Sequence, residues 1–149
     1  MSAFIFYILL AVAAGFCLPV QAGINAHLSQ LTRSSILAAT ISFGVGTAAL
    51  VAYSLMLRIP LPPAAALGGS AWWVWTGGFY GAFFVTVTVV LAPKLGAASM
   101  VALIVAGQML MSVLLDHYGL LGFPMHPINW ARLTGVGLLV GGVIMIRWF

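Results

Sequence analysis

Five long runs of apolar residues, separated by short polar or proline-rich stretches, dominate the hydrophobic pattern of this chain. Each run is about eighteen residues or longer, which at a rise of about 1.5 Å per residue can cross a hydrocarbon core about 30 Å thick. In hydrocarbon, backbone polar groups must be paired within the segment, so such runs form helices. The pattern predicts an all-α integral membrane protein with one transmembrane domain over residues 1–149. Its five helices are expected at about residues 3–31, 35–57, 71–91, 98–121 and 129–146.

Composition supports a membrane protein. Of the 149 residues, 64% are hydrophobic and 4% are charged. A soluble domain carries about 25% charged residues, so the outer surface of this chain is expected to contact lipid. The net charge of +4 comes from basic residues that stand singly, which is typical of cations flanking a membrane and unlike a nucleic-acid-binding patch.

The few reactive residues argue against an enzyme. Cys17 is the only cysteine, which excludes an internal disulfide, and no Cys-rich or His-rich metal-binding spacing is present. Asp116 and His117 are adjacent, so on a helix they point about 100° apart and do not form an acid–base pair by themselves. We therefore predict no catalytic residue, no metal and no cofactor.

Two amides near the end of the first run, Gln21 and Asn25, are the clearest sign of a function. Their i,i+4 spacing places them on one face of a helix that carries no charge before Arg33. An amide in hydrocarbon costs free energy unless it is hydrogen-bonded, so both are expected to face protein or water. We interpret them as one wall of a polar cavity. The alternative is a pair of interhelical hydrogen bonds that hold packed helices together.

Pro19 precedes the two amides and predicts a kink in helix 1. Its ring removes a backbone donor and clashes with the carbonyl group of Gly15. Such a kink is either a functional hinge or an accommodation to packing, and the sequence leaves both open.

Further candidate solute contacts lie on the other helices. Gln108, Ser112 and Asp116 follow an i, i+4, i+8 spacing, which forms a polar stripe on helix 4. We add Phe43 of helix 2 and Tyr80 of helix 3 to the candidate solute contacts, although aromatic rings more often contact lipid or other helices. The predicted solute-binding residues are Gln21, Asn25, Ser42, Phe43, Tyr80, Gln108 and Ser112.

Asp116 is the only acid in the chain, and two roles are open to it. It could couple transport to protons, with its pKa raised by partial desolvation. It could instead be a structural anchor that accepts hydrogen bonds from the loop of residues 123–129 or pairs with Arg132. We favour the anchor, because a lone acid near a helix end can be hydrated or paired.

The cations give little bias toward one orientation in the membrane. With five spans, two of the five cations lie on one side of the membrane and three lie on the other, so the positive-inside signal is nearly balanced. Near balance permits insertion in both orientations, and two opposite copies would form an antiparallel dimer with the inverted symmetry of many transporters. The alternative is a single orientation with the larger group inside. The two groups are Arg58 and Arg132, against Arg33, Lys94 and Arg147.

Short sequence blocks along nearly the whole chain resemble one known family. They are Gln21-x-x-x-Asn25-Ala26-x-Leu28, Ser42-Phe43-x-x-Gly46-Thr47, Gly77-Gly78-x-x-Gly81, Leu91-Ala92-Pro93-Lys94-Leu95-Gly96-Ala97-Ala98, Gly107-Gln108 and Asp116-His117-x-Gly119. Together they resemble the YdcZ family of small bacterial inner-membrane proteins, in the drug/metabolite transporter superfamily.

The resemblance implies a transporter in the bacterial inner membrane. Family members occur as five-helix chains, paired chains and ten-helix fusions, which implies an antiparallel homodimer or a dimer with a paired homologous chain. The expected partners are therefore a second chain, membrane lipid and a small polar or amphipathic solute. The related small multidrug resistance proteins use a glutamate in the first helix, which helix 1 lacks, so that mechanism is not carried over. A non-transporting scaffold or assembly subunit is the alternative.

Overall fold

The computed structural model of this protein describes residues 2–63 and 67–148. Within these ranges, five α-helices are long and apolar enough to cross a membrane, which confirms the predicted all-α architecture. A short 3-10 helix, Trp72–Thr76, leads into the third, and another, Leu120–Gly122, follows the fourth. The helices are α1 (Ser2–Thr32), α2 (Ser35–Met56), α3 (Gly77–Leu95), α4 (Ala97–Tyr118) and α5 (Trp130–Trp148).

A tight turn connects α1 to α2. Ser34 has the extended backbone of a helix cap, and its Oγ accepts a hydrogen bond from Leu37 N at 3.2 Å. Our sequence analysis did not identify this cap. Thr32 Oγ1 contacts the carbonyl oxygens of Leu28 and Ser34 at 2.9 and 3.0 Å, which holds the turn closed.

The boundaries of α3 and α4 differ from the predicted ones. α3 begins at Gly77 and not at about residue 71, because residues 72–76 form the 3-10 helix. α3 continues through Pro93 to Leu95, because a proline in the last turn removes only one intrahelical hydrogen bond. The break comes at Gly96, whose φ of 75° is readily adopted by glycine. α4 ends at Tyr118, three residues before the predicted boundary at 121, because Gly119 adopts the left-handed conformation that terminates helices.

The chain divides into two compact units, Met1–Pro93 and Lys94–Phe149. In the first unit, the core lies near the turn between α1 and α2, and small residues of α2 contact β-branched residues of α3 there. The buried core consists of Ala38, Ala39, Val85 and Val89, with Leu28 and Phe84 packed against it. In the second unit, α4 and α5 contact each other, and Met100 and Val143 are buried.

The end of the first unit opposite its core is unpacked. Side chains at positions 4–17 of α1, 43–53 of α2 and 77–80 of α3 are exposed, and most of them are apolar. Because the helices alternate in direction, these three segments belong to the same end of the unit. The buried residues of the first unit therefore lie near the turn between α1 and α2, and the side chains of these three segments are left to contact lipid or other chains.

Candidate functional site

A cleft of about 410 Å³ lies between α1 and α2 in the first unit. Most of its wall comes from α1, and α2 contributes one hydroxyl group. The lining residues are Phe16, Cys17, Val20, Gln21, Ile24, Asn25 and Ser42.

The wall from α1 consists of two parallel stripes that follow from helical geometry. Residues four apart lie on the same face, so Phe16, Val20 and Ile24 form an apolar stripe. Gln21 and Asn25, together with the thiol one turn before them, form the neighbouring stripe. An elongated ligand in this cleft would contact apolar side chains along one edge and amides along the other.

Asn25 is the least satisfied polar group of the cleft. Its side chain is 3% exposed, and its Nδ2 has no hydrogen-bond partner among the described residues. Thr88, the other buried polar residue of residues 2–63 and 67–148, donates from Oγ1 to Val85 O at 2.8 Å. Leaving a buried donor unpaired costs about 1–3 kcal/mol. Because Nδ2 has less than 1 Å² of accessible surface, a partner from outside the unit can reach it only if the neighbouring side chains move.

A second cleft of about 220 Å³ adjoins the first, since Gln21 and Ser42 line both. It extends along α2 and is also lined by Phe43, Gly46, Thr47 and Leu50. Phe43 forms part of the wall of this second cleft, and its ring lies against Gly81 of α3. A Cβ on Gly81 would come within 3.2 Å of Phe43 Cζ, which is tighter than ordinary contact.

Four of the predicted solute-binding residues are thus brought together: Gln21, Asn25, Ser42 and Phe43. Tyr80 is 74% exposed and lines neither cleft. Gln108 and Ser112 lie on α4 in the second unit, where both are exposed. A solute-binding role for these three residues stays a prediction.

The apolar residues of the lining were not among the predicted solute-binding residues. Phe16, Val20 and Ile24 share a spacing of four residues, which could have identified them as one face beside the amides. In a helix that is apolar on all sides, however, such a spacing does not distinguish a cleft wall from a surface that contacts lipid.

A separate polar cluster in the second unit surrounds Asp116. Its Oδ2 lies 3.2 Å from Arg132 Nη1, in an ion pair of which each side chain is about one-third exposed. Arg132 Nη1 also donates to His126 O at 3.1 Å, and His126 N donates to the backbone carbonyl of Asp116 at 2.8 Å. These bonds join α4, the following loop and α5.

Two further contacts fix the same loop. Ile128 N donates to His117 Nδ1 at 3.1 Å, which requires a ring whose Nδ1 carries no proton. Arg132 N donates to Asn129 Oδ1 at 2.9 Å, which caps the start of α5. The cluster contains the contacts expected of a structural anchor, including the pairing of Asp116 with Arg132.

Comparisons with known proteins identify the family. A family described as "Putative inner membrane exporter, YdcZ" matches residues 6–145. The chain belongs to the YdcZ family. The inner membrane protein YdcZ of Escherichia coli (strain K12) is 25% identical over 136 residues, which are 91% of this chain and 91% of the relative. No solved structure matches the chain.

Family membership confirms that this chain is a multi-pass inner-membrane protein, as the five apolar helices predicted. It also places the chain among membrane transporters in general, because the family description is that of an exporter and not of an enzyme. The solute is not part of that description.

Proposed function

We propose that this YdcZ-family protein is a secondary transporter that exports a small polar or amphipathic solute by alternating access in a dimer. The observation that carries the proposal is the cleft of the first unit, in whose lining the amide-bearing Gln21 and Asn25 and the hydroxyl-bearing Ser42 lie beside apolar side chains. Such a mixture of polar and apolar side chains suits a solute that has both a polar and an apolar part. The direction of transport follows the description of the family.

The packing of the first unit is consistent with such a cycle. The buried contacts between its helices are concentrated near the turn between α1 and α2. Alternating access requires a second state in which these contacts separate and others form.

For the dimer, we propose two copies in opposite orientations. The support is the near balance of cations, two against three, on the two sides of the five spans. Two lysines added to the segment of residues 59–63 should force one orientation and reduce transport. Reporter tags at both termini would measure the orientation. A single orientation of the unaltered chain, or a parallel dimer in crosslinking, would contradict this arrangement.

Transport itself is tested by a binding screen followed by a flux assay. The purified protein is screened for thermal stabilisation by small polar and amphipathic compounds, and compounds that bind are followed across proteoliposome membranes. We expect flux that falls about fivefold to tenfold in Asn25→Leu and is kept in Gln30→Ala, which removes an exposed amide of α1 outside both clefts. Absence of any flux would favour the scaffold or assembly subunit.

A further inference from the structure

We infer that His117, in the last turn of α4, is a proton-binding site that controls the loop between α4 and α5. The neutral ring holds the end of this loop by accepting a hydrogen bond, and a bound proton releases it. The site lies in the second unit, so it is independent of the proposed solute-binding cleft in the first unit.

The contact that carries this assignment joins His117 to the far end of the loop. Ile128 N donates to His117 Nδ1 at 3.1 Å, across eleven positions of the chain. A backbone N–H group can only donate, so Nδ1 offers its lone pair and carries no proton. A second proton on the ring would occupy that lone pair and leave two donors facing each other. The bond between His117 and Ile128 therefore exists only while the ring is neutral.

The histidine within the loop responds differently to a proton. His126 Nδ1 lies 3.0 Å from Pro124 O, a carbonyl oxygen that only accepts, so this ring nitrogen is the donor. Both nitrogens of a charged imidazole are donors, so the bond to Pro124 is kept when His126 becomes protonated. Of the two histidines, only His117 loses its contact on binding a proton.

Other ionisable groups share this end of the second unit. A carboxyl, a phenol and a guanidinium group ordinarily change charge outside the range of about pH 5 to 8, in which histidine changes. Lys94 precedes α4 and Arg147 is in the last turn of α5, so both belong to the opposite end of the unit. The groups near the loop are Asp116 and Tyr118 on α4, His126 in the loop and Arg132 on α5.

The surroundings of His117 allow its ring to become charged. The side chain is partly exposed, so water reaches it. It lies in the last turn of α4, where the negative end of the helix dipole favours a positive charge. The cation of α5 at this end, Arg132, is paired with Asp116, which offsets its repulsion of a charged imidazole.

A proton on this ring releases one end of the loop and leaves the other attached. His126 N donates to the backbone carbonyl of Asp116 at 2.8 Å, and the carboxylate of Asp116 pairs with Arg132. Neither contact involves the imidazole ring of α4. In acid, the loop therefore stays joined to α4 through Asp116, whereas Ile128 loses the acceptor of its N–H group.

The test measures hydrogen exchange of the Ile128 and His126 amides, in the full chain in lipid nanodiscs, at about pH 8 and about pH 5. Rates are corrected for the pH dependence of exchange in an unstructured peptide. His117→Asn keeps an acceptor, because Oδ1 is as many bonds from the backbone as Nδ1, but it does not titrate. His117→Phe removes the acceptor. His126→Asn is the matched control, since its Nδ2 replaces the donor to Pro124.

We expect the corrected exchange rate of the Ile128 amide to rise about fivefold in acid, as expected for one lost hydrogen bond. The rate of the His126 amide should stay constant. His117→Phe should exchange rapidly at Ile128 at both pH values. In His117→Asn the rate at Ile128 should be the same at both pH values, and in His126→Asn it should rise in acid as in the unaltered chain.

Four outcomes would overturn the inference. The first is equal protection of the Ile128 amide at both pH values in the unaltered chain. The second is a response to acid that persists in His117→Asn. The third is a response that disappears in His126→Asn, which would assign the proton to His126. The fourth is equal acceleration at His126 and Ile128, which would show that the whole loop opens and that Asp116 and Arg132 separate.

Discussion

The amide of Asn25 and the carboxylate of Asp116 are treated in opposite ways by this fold. Asn25 is 3% exposed, and its Nδ2 has no partner in the described part of the chain. Asp116 is about 30% exposed, and its Oδ2 pairs with Arg132. The charged group, which is the more costly to bury, thus has both a partner and access to solvent. The neutral group has neither.

This contrast separates two kinds of polar residue in a membrane protein. A group whose bonds are completed within its own unit contributes to structure, as the Asp116 cluster does by joining α4, the loop and α5. A buried group with an incomplete set of bonds carries a cost that a change of conformation can remove by exposing it to a partner. We therefore propose Asn25 for solute recognition and Asp116 for anchoring, although the acid is the more conspicuous residue in the sequence.

The largest effect is expected from Asn25→Leu, which keeps the approximate volume of the side chain and removes its polar atoms. Solute flux should fall about fivefold to tenfold, because one hydrogen bond to the ligand is lost. The free energy of unfolding should stay unchanged or rise by about 1 kcal/mol, because an unpaired buried donor is removed. Flux in proteoliposomes and thermal unfolding measure the two quantities.

Gln30→Ala on the same helix is the control for this variant. If Asn25→Leu instead lowers stability and loses flux only in proportion to the unfolded fraction, Asn25 holds helices together. The contrast with Asp116 would then disappear.

An intermediate effect is expected from Asp116→Asn. Losing a partly exposed ion pair should lower the free energy of unfolding by about 1 kcal/mol, with little change in the flux of the folded protein. The double variant Asp116→Asn/Arg132→Gln should lower the free energy of unfolding by less than the sum of the two single variants, because both substitutions remove the same ion pair. Chemical unfolding of the three variants measures this coupling.

The same variant tests the other role of the acid. Proton-driven flux and exchange of unlabelled solute should change in parallel in Asp116→Asn. Loss of proton-driven flux with exchange preserved would make Asp116 the coupling residue.

The smallest effect is expected from Gly81→Ala, with Gly78→Ala as its matched control on α3. A methyl group on Gly81 would meet Phe43 Cζ at 3.2 Å, whereas one on Gly78 would meet nothing within 4 Å in the described structure. Alanine stabilises a helix by up to about 1 kcal/mol relative to glycine, and at Gly81 the contact with Phe43 should offset that gain. Thermal unfolding of both variants measures the difference, and equal stabilisation would show that Phe43 moves freely.

The sequence by itself determined the five helices and which residues share a face within each helix. Length and hydrophobicity require backbone pairing within each span, and helical geometry then places Gln21 and Asn25 on one face before any contact is known. Prediction was weakest at helix ends such as Ser34 and Gly96, where the backbone angles of single residues decide the boundary.

Only the tertiary structure decided that Asn25 is buried while Gln21, four residues earlier, is exposed. It also decided that Phe43 lies against Gly81 and that Arg132 reaches Asp116. The physical reason is that these contacts depend on which helix covers which face. A helix that is apolar on all sides has no polar face to reveal its covered side, so the contacts follow only from the packing of residues distant in the chain.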